Sequence, residues 1–375
     1  MSKPAHLFAA SHRLVICLGP GGVGKTTLSA ALAMRGAIEG RAVDVMTVDP
    51  APRLLDALGL DPRAGEAQDV ALDGVAKAHG GRLRAMKLDP KATFDALVAR
   101  YAGSPAARDA ILANRIYRNL SGALAGVADY MAMEKLLELH ENRASDLIVL
   151  DTPPAREALD FLDAPRRLLE LLNSRALALL GASRELMRGL GLVDIAARAV
   201  LAAFDRVTGL RLLSDVQAFV RSFNGMYEGF AQRAERAQAL LRGAGTLVVV
   251  VTTVEAERVA EARAFVESLD AAGIRVGAMI VNRMMPPMPP LEELERAKIT
   301  PALKRKLKRN WHDFAALKQR ESISLEALRA ILPKNAELIV APDLGREPRR
   351  LRDLAELARS FRIADQVGAK TLKGV

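Results

Sequence analysis

Cysteine is almost absent from this chain of 375 residues; Cys17 stands alone. No intrachain disulfide can form, and no paired-cysteine zinc site can be built. The five histidines, His6, His12, His79, His140 and His312, are scattered and show no metal-ligand spacing. No apolar run reaches the roughly 20 residues that a membrane-spanning helix needs. Residues 1–12 hold no apolar signal-peptide core. Internal repeats are also lacking. These absences lead to the expectation of a cytoplasmic protein without structural metal or transmembrane segment.

What is there permits a sizeable core. Hydrophobic residues make up 50% of the chain and charged residues 26%, with a net charge of +10 and a pI near 9.9. The length fits one large domain or two ordinary ones. A basic balance favours nucleic acid, acidic lipid or nucleotide as partners. Arginine is spread over the whole chain, however, so a solvated basic surface is the main reading and nucleic acid is not an expected partner. Peripheral contact with a membrane surface stays open.

The chemistry begins at residues 19–27, Gly-Pro-Gly-Gly-Val-Gly-Lys-Thr-Thr. Gly19, Gly24, Lys25 and Thr26 stand at the fixed positions of G-x-x-x-x-G-K-[ST]. The apolar run Arg13–Leu18 precedes this loop and a helical pattern from Leu28 to Glu39 follows, which is the context of a phosphate-binding loop. Backbone N–H groups of Gly21, Gly22, Val23 and Gly24 would cradle phosphate oxygens, helped by the helix N-terminus. Lys25 would reach the β- and γ-phosphates, and Thr26 would ligate Mg²⁺.

Further strands close on chemistry-bearing residues. Val43–Val48 ends at Asp49-Pro-Ala-Pro-Arg53, an acidic residue at a strand's carboxyl end. Ser145–Leu150 ends at Asp151-Thr-Pro-Pro154, in the form of a Walker B or switch II element whose aspartate acts on Mg²⁺ directly or through water. Arg82–Leu88, Thr246–Thr252, Val276–Val281 and Glu337–Ala341 complete the strand set. Residues 61–81 read as an irregular connection. Residues 89–142 read as helices with Phe94, Leu97, Tyr101, Ile111, Ile116 and Leu120 on buried faces.

Residues 160–242 are helical in pattern and unusually apolar, from Leu168 to Leu180 and from Leu186 to Phe204. Internal core and a groove for an apolar client both account for that. Met284–Pro290 reads as a semi-rigid loop. Within 291–332 one helix sets Lys304, Arg305, Lys306, Lys308 and Arg309 opposite Leu303, Leu307, Trp311 and Phe314. A last helix runs to about Ile363. Strands alternating with helices predict a mostly parallel, doubly wound α/β sheet of the P-loop NTPase kind with a helical insertion subdomain. The sheet core would take about 13–90, 145–160 and 243–362, and the helical subdomain about 91–142 and 161–242.

Gly19–Thr27, Asp49-Pro50-Ala51, Asp151-Thr152-Pro153-Pro154 and Val281-Asn282-Arg283 fall in the order and spacing of the ArsA-type anion-transporting ATPases. The chain resembles this family, part of the MinD-like P-loop class and related to the eukaryotic targeting ATPase for tail-anchored membrane proteins. The resemblance covers residues 13 to about 360. It implies Mg-ATP hydrolysis, a homo- or hetero-dimer, and a nucleotide-driven switch coupled to a hydrophobic client or partner protein. By the same resemblance Lys25, Thr26 and Thr27 bind phosphate and Mg²⁺, and Asp49 works on the attacking water. Asp151 serves the metal, Asn282 meets adenine, and the loop from Pro342 covers the base. Val281-Asn282-Arg283-Met284 lacks the Asn-Lys-x-Asp signature of guanine specificity, which favours ATP.

The departures are specific. Pro20 stands where the family usually has a lysine that reaches the partner subunit's phosphates. The cysteine trio of the arsenite pumps and the paired-cysteine zinc site of the tail-anchor branch are both absent. Arg53 and Arg156, close behind the two switch aspartates, are candidates to replace the missing cation, Arg156 the stronger. Two other readings stand beside a client-carrying ATPase. One is a nucleotide-binding scaffold that hardly turns over. The other is a partitioning ATPase acting on membrane or DNA.

Overall fold

The computed structural model describes residues 9–72, 80–114, 125–153, 161–167 and 226–364, together with Leu7, Val75, Tyr117 and Glu170. In chain order the elements are β1 (Leu14–Leu18), α1 (Lys25–Ile38), β2 (Ala42–Thr47), α2 (Arg53–Leu58), β3 (Gln68–Asp69) and β4 (Arg82–Lys87). Then come α3 (Pro90–Tyr101), α4 (Pro105–Ala113), α5 (Ala125–Asn142), β5 (Leu147–Asp151), α6 (Tyr227–Arg242) and β6 (Thr246–Thr252). The chain continues through α7 (Ala256–Ala271), β7 (Val276–Met284), α8 (Leu291–Arg296), α9 (Pro301–Ile331), β8 (Glu337–Pro342), α10 (Leu351–Ser360) and β9 (Arg362–Ile363).

These elements divide into two compact units: Met1–Lys87, Asn142–Leu159 and Arg242–Val375 in one, Leu88–Glu141 and Asp160–Leu241 in the other. The first holds a nine-stranded sheet in the order β3-β4-β2-β5-β1-β6-β7-β8-β9. The strands from β4 to β8 run parallel, and the two edge strands are antiparallel. Parallel strands buried on both faces must be apolar throughout, and Leu-Val-Ile-Cys-Leu of β1 is buried at every position. Ala30, Ala31, Ala33 and Ala37 of α1 are fully buried; their small side chains let the helix lie close against the strands. Asp44 is the exception within β2. Its buried carboxylate takes both arms of Arg84 on the paired strand, at 2.8 Å each, a bidentate geometry that offsets desolvation.

Three details differ from the sequence expectation. Gln68–Asp69, inside the supposed irregular connection, pairs with β4. Arg362–Ile363, expected to end a helix, turn back as an edge strand on β8. Met284, expected in the loop, is the last residue of β7 and pairs with Pro342 after a register shift. A bulge absorbs Asn282 and Arg283, and Arg283 takes a φ of 57° there. Proline blocks the strand only beyond that bulge.

The second unit is helical among its described residues: α3, α4, most of α5, the stretch 161–167 and α6. Asp89 caps α3 by accepting from the Ala92 N–H, and Ser104 caps α4 in the same way from Ala107. Phe94, Leu97 and Ile111 are buried as expected, with Tyr117, Tyr130, Met131 and Phe230 around them. Tyr101 is half-buried at the margin of that cluster. Ile116, Leu120 and the apolar segments Leu168–Leu180 and Leu186–Phe204 lie outside the described residues, apart from Glu170.

Candidate active site

The neighbouring strands β2, β5, β1, β6 and β7 all end on one edge of the sheet, because they are parallel. Register sets Asp151 opposite both Cys17 and Thr47. The chain leaves β1 through Gly19, where a Cβ would stand 2.2 Å from the Val251 carbonyl oxygen of β6. It enters α1 through Gly24, whose φ is 89° and whose Cβ would stand 2.4 Å from Asn282 Nδ2. Only glycine satisfies both positions. Gly21 and Gly22 are exposed, with no atom within 4 Å of where a Cβ would be, whereas Val23 is buried. The loop is therefore anchored at Val23 and open at Gly21-Gly22.

α1 begins with no side-chain cap and no acidic residue in its first turn. Its first N–H groups have no partner within the helix, so that end is electropositive and ready for an anion. Lys25 is buried inside the loop. Its Nζ donates to the carbonyls of Gly19 and Pro20, both at 2.9 Å. Burial pulls the ammonium below the ordinary lysine range, and the Asp151 and Asp49 carboxylates act against that.

Asp151 is completely buried. Thr47 donates to its Oδ2 at 2.9 Å and Ser29 to its Oδ1 at 3.3 Å. Burial pushes its carboxyl up, opposed by hydrogen bonds from Thr26, Thr47 and Ser29 and by the charge of Lys25. Thr152 donates to the Cys17 carbonyl at 2.7 Å, tying the end of β5 to β1. The Thr47 hydroxyl also accepts the Asp49 N–H at 3.2 Å. One hydroxyl thus links the two acidic segments. Asp49 itself accepts from the Ala51 N–H at 2.9 Å and pairs with Arg53 at 3.3 Å, the arginine side chain being 71% exposed.

The bulge in β7 aims Asn282 at the loop. Its buried amide donates from Nδ2 to the Val23 carbonyl at 2.8 Å. Nearby, Asp343 N–H donates to the Met284 carbonyl at 2.7 Å, which fixes the chain just beyond Pro342. Arg156 and Pro154 lie outside the described residues. Thr47, Ser29 and Thr152 were not singled out from the sequence. The available signals were positional: Thr47 ends β2 two residues before Asp49, and Ser29 stands one helical turn after Lys25.

Among the described residues no group of three or more His, Cys, Asp and Glu could hold a metal ion. A hydroxyl and one carboxylate, Thr26 and Asp151, do adjoin each other at the loop. That sparse oxygen set suits Mg²⁺, which keeps several waters and takes the rest of its shell from phosphates.

A profile of the anion-transporting ATPase family matches residues 12–320. The chain belongs to that family. It is an ATPase. A protein of uncharacterised function from Streptomyces coelicolor is 27% identical over 350 residues, covering 92% of this chain and 75% of its own. The ATPase GET3 of Malassezia globosa is 24% identical over 311 residues, 82% of each chain. An ATPase of the same name from Aspergillus terreus is 32% identical over 157 residues, 41% of this chain and 43% of its own. For this ATPase the sheet and its strand-end loops agree with the P-loop fold expected from the sequence. Among the described residues no helix is long and apolar enough to cross a membrane.

Proposed function

We propose that this ATPase binds Mg-ATP in the Gly19–Thr27 loop, hydrolyses it through Asp49, and passes the change to its helical unit, which engages a hydrophobic client or partner protein. The observation that carries the reading is the Thr47 hydroxyl, hydrogen-bonded to both Asp151 and the Asp49 backbone. A phosphate that draws Lys25 off the loop carbonyls would disturb Asp151, and Thr47 would relay the disturbance to Asp49. Thr26 and Asp151 would hold Mg²⁺, which supplies positive charge against the phosphates. Thr27 and the N–H groups of Gly21, Gly22, Val23 and Gly24 would bind phosphate oxygens. Asn282 has its Nδ2 committed to Val23, so its Oδ1 would accept from the adenine amino group, beneath the loop that starts at Pro342.

Two arginines are candidates for the charge that Pro20 cannot supply. Arg156 remains one of them by its place in the sequence. Arg53 gains support from its exposed pair with Asp49, since an i,i+4 surface pair is worth only about 0.3–0.5 kcal/mol and exchanges easily. A guanidinium that moves to the γ-phosphate would release the Asp49 carboxylate to act on water. A second reading, a slow nucleotide-binding scaffold, is favoured by the same pair while it persists. A cytoplasmic dimer completes the proposal.

Replacing Asp49 by Asn tests the chemistry. ATP affinity should stay within about threefold while turnover falls by about 10²-fold or more, the range for a general acid–base group. Equal loss of binding and turnover would make Asp49 a structural or metal-holding group instead. Arg53→Ala should lower turnover at least tenfold at unchanged affinity, and a parent rate would leave the role to Arg156 or to the scaffold reading.

A further inference from the structure

All five large hydrophobic side chains that are strongly exposed among the described residues lie on one helix, α9: Leu303, Leu307, Phe314, Leu317 and Ile323, between 36% and 61% exposed. Four of them form a seam. Leu303, Leu307, Asn310, Phe314 and Leu317 follow one another at intervals of four, three, four and three residues, on one side of a 31-residue helix. The same side continues to Glu321 and Leu328, and both of those are buried. The stripe that the helix uses toward its own protein at one end therefore runs on into solvent at the other.

The neighbouring side of α9 is already occupied. Trp311 Nε1 donates to the Pro289 carbonyl at 2.9 Å, Lys318 Nζ donates to the Met285 carbonyl at 2.7 Å, and Lys308 pairs with Glu295 of α8 at 2.7 Å. These contacts hold the Met-Pro loop and α8 along one flank of the helix. They fix its rotation, so the seam cannot turn inward. On the open flank stand Lys306, Arg309 and Arg320, all exposed, with exposed Asp313 the one acidic residue among them.

Width and charge choose the occupant. A seam repeating every three and four residues is the narrow stripe of a helix pair. A helix lying in a membrane surface needs a broad apolar face instead. A single asparagine within such a seam sets register. A second copy of this chain would bring Lys306, Arg309 and Arg320 against their own counterparts, on a protein that already carries +10. We propose that the seam of α9 binds an amphipathic helix with acidic flanks, provided by another protein, independently of the nucleotide site. Its leucine-type positions would close over Leu307 and Phe314, and its carboxylates would meet Lys306, Arg309 and Arg320.

The test uses the intact chain and two synthetic 25-residue helical peptides with leucine at every a and d position. One carries glutamate and the other lysine at its e and g positions. Fluorescence anisotropy of labelled peptide gives the affinity, and Trp311, the only tryptophan of the chain, reports from the occupied flank beside the seam. The glutamate peptide should bind saturably and shift the Trp311 emission, while the lysine peptide should not bind. Leu307→Ser with Phe314→Ser should weaken binding at least tenfold, with circular dichroism and ATP turnover unchanged, since both side chains are exposed. Lys306→Glu with Arg309→Glu should reverse the preference between the peptides. Failure of the glutamate peptide to bind would overturn the proposal, as would binding that ignores the serine variants. So would self-association in the ultracentrifuge that Phe314→Ser abolishes, which assigns the seam to a second copy. Sedimentation with phosphatidylglycerol vesicles that Phe314→Ser abolishes would overturn it too, by assigning the seam to a membrane.

Discussion

The two units bury charge in opposite ways. In the sheet unit the buried carboxylates Asp44 and Asp151 belong to strands, and Glu321 of α9 pairs with Lys318 at 2.9 Å. Asp44 takes the bidentate grip of Arg84, whose side chain keeps some exposure, and Asp151 sits at a strand end among hydroxyl donors. In the helical unit the side chains of Arg233 and Glu134 are only 1% and 4% exposed and face each other across α6 and α5, with Glu141 as a second partner of Arg233 at 3.0 Å. The surroundings differ as well. The core around α1 is aliphatic apart from Phe361, whereas Phe94, Tyr117, Tyr130 and Phe230 crowd the helical core. The sheet meets its strand carboxylates with a neighbouring strand's arginine and with hydroxyl donors, and the helical unit uses its charge to fix two helices against each other.

The largest effect should come from breaking the dry pair. Arg233→Ala leaves Glu134 buried without its cation and should cost about 3–5 kcal/mol of stability. The double change Arg233→Met with Glu134→Leu should recover most of that loss, because well-packed apolar replacements of a buried pair are often neutral. Urea melts followed by near-ultraviolet dichroism of the tyrosine cluster would read both. A double variant as unstable as the single one would mean that the aromatic core, rather than the charge, depends on Arg233.

The counterpart in the sheet unit is Gly24→Ala. Its left-handed φ and the 2.4 Å approach to Asn282 should cost about 1–3 kcal/mol and push the amide off the Val23 carbonyl. Calorimetry should then show ATP affinity falling at least tenfold while the helical unit melts as before. Unchanged affinity would separate the Asn282 contact from nucleotide binding.

Much of this site was legible because its signals are local. The apolar run, the fixed glycines and Lys25 announce β1, the loop and α1 within a few residues, and Asp151 closes a continuous apolar strand. What escaped is non-local or short. Asn282 meets Val23 across most of the chain, and no pattern in either segment records it. The edge strands Gln68–Asp69 and Arg362–Ile363 are two residues each, too brief for a period to show. Met284 stays in its strand through a bulge that proline-rich neighbours conceal. In α9 the expected opposition of a basic and an apolar face did not hold: Lys304 and Lys308 are half-buried against α8 on the side of Trp311, whereas Leu303, Leu307 and Phe314 are exposed, because periodicity does not tell a covered face from an open one.

A smaller effect concerns pH. Burial raises the Glu134 carboxyl above the usual carboxylate range, against the pull of Arg233. Between the unfolded and folded values the native state holds more protons than the unfolded one. Stability of the helical unit should therefore fall as pH rises from the ordinary carboxylate range until Glu134 is ionised, then level off. Glu134→Gln should remove that slope, and a slope that survives would belong to another group. The smallest effect is a silence in the sheet unit. Cys17 is buried and its thiol is pushed up to about 12. It should not react with an aromatic disulfide reagent at pH 8 until the sheet unfolds, and fast labelling of the native protein would show that β1 opens locally.

The proposed nucleotide site stands or falls with the strand-end loop and Lys25 within it. Isothermal calorimetry of ATP with Mg²⁺ on the parent chain and on Lys25→Ala decides whether ATP binds there. The parent should bind saturably. The variant should lose at least tenfold in affinity, because a charge-assisted contact worth about 1.5–3 kcal/mol disappears, and its melting temperature should not fall. Equal affinity in the two proteins would refute the assignment and move the nucleotide away from this loop.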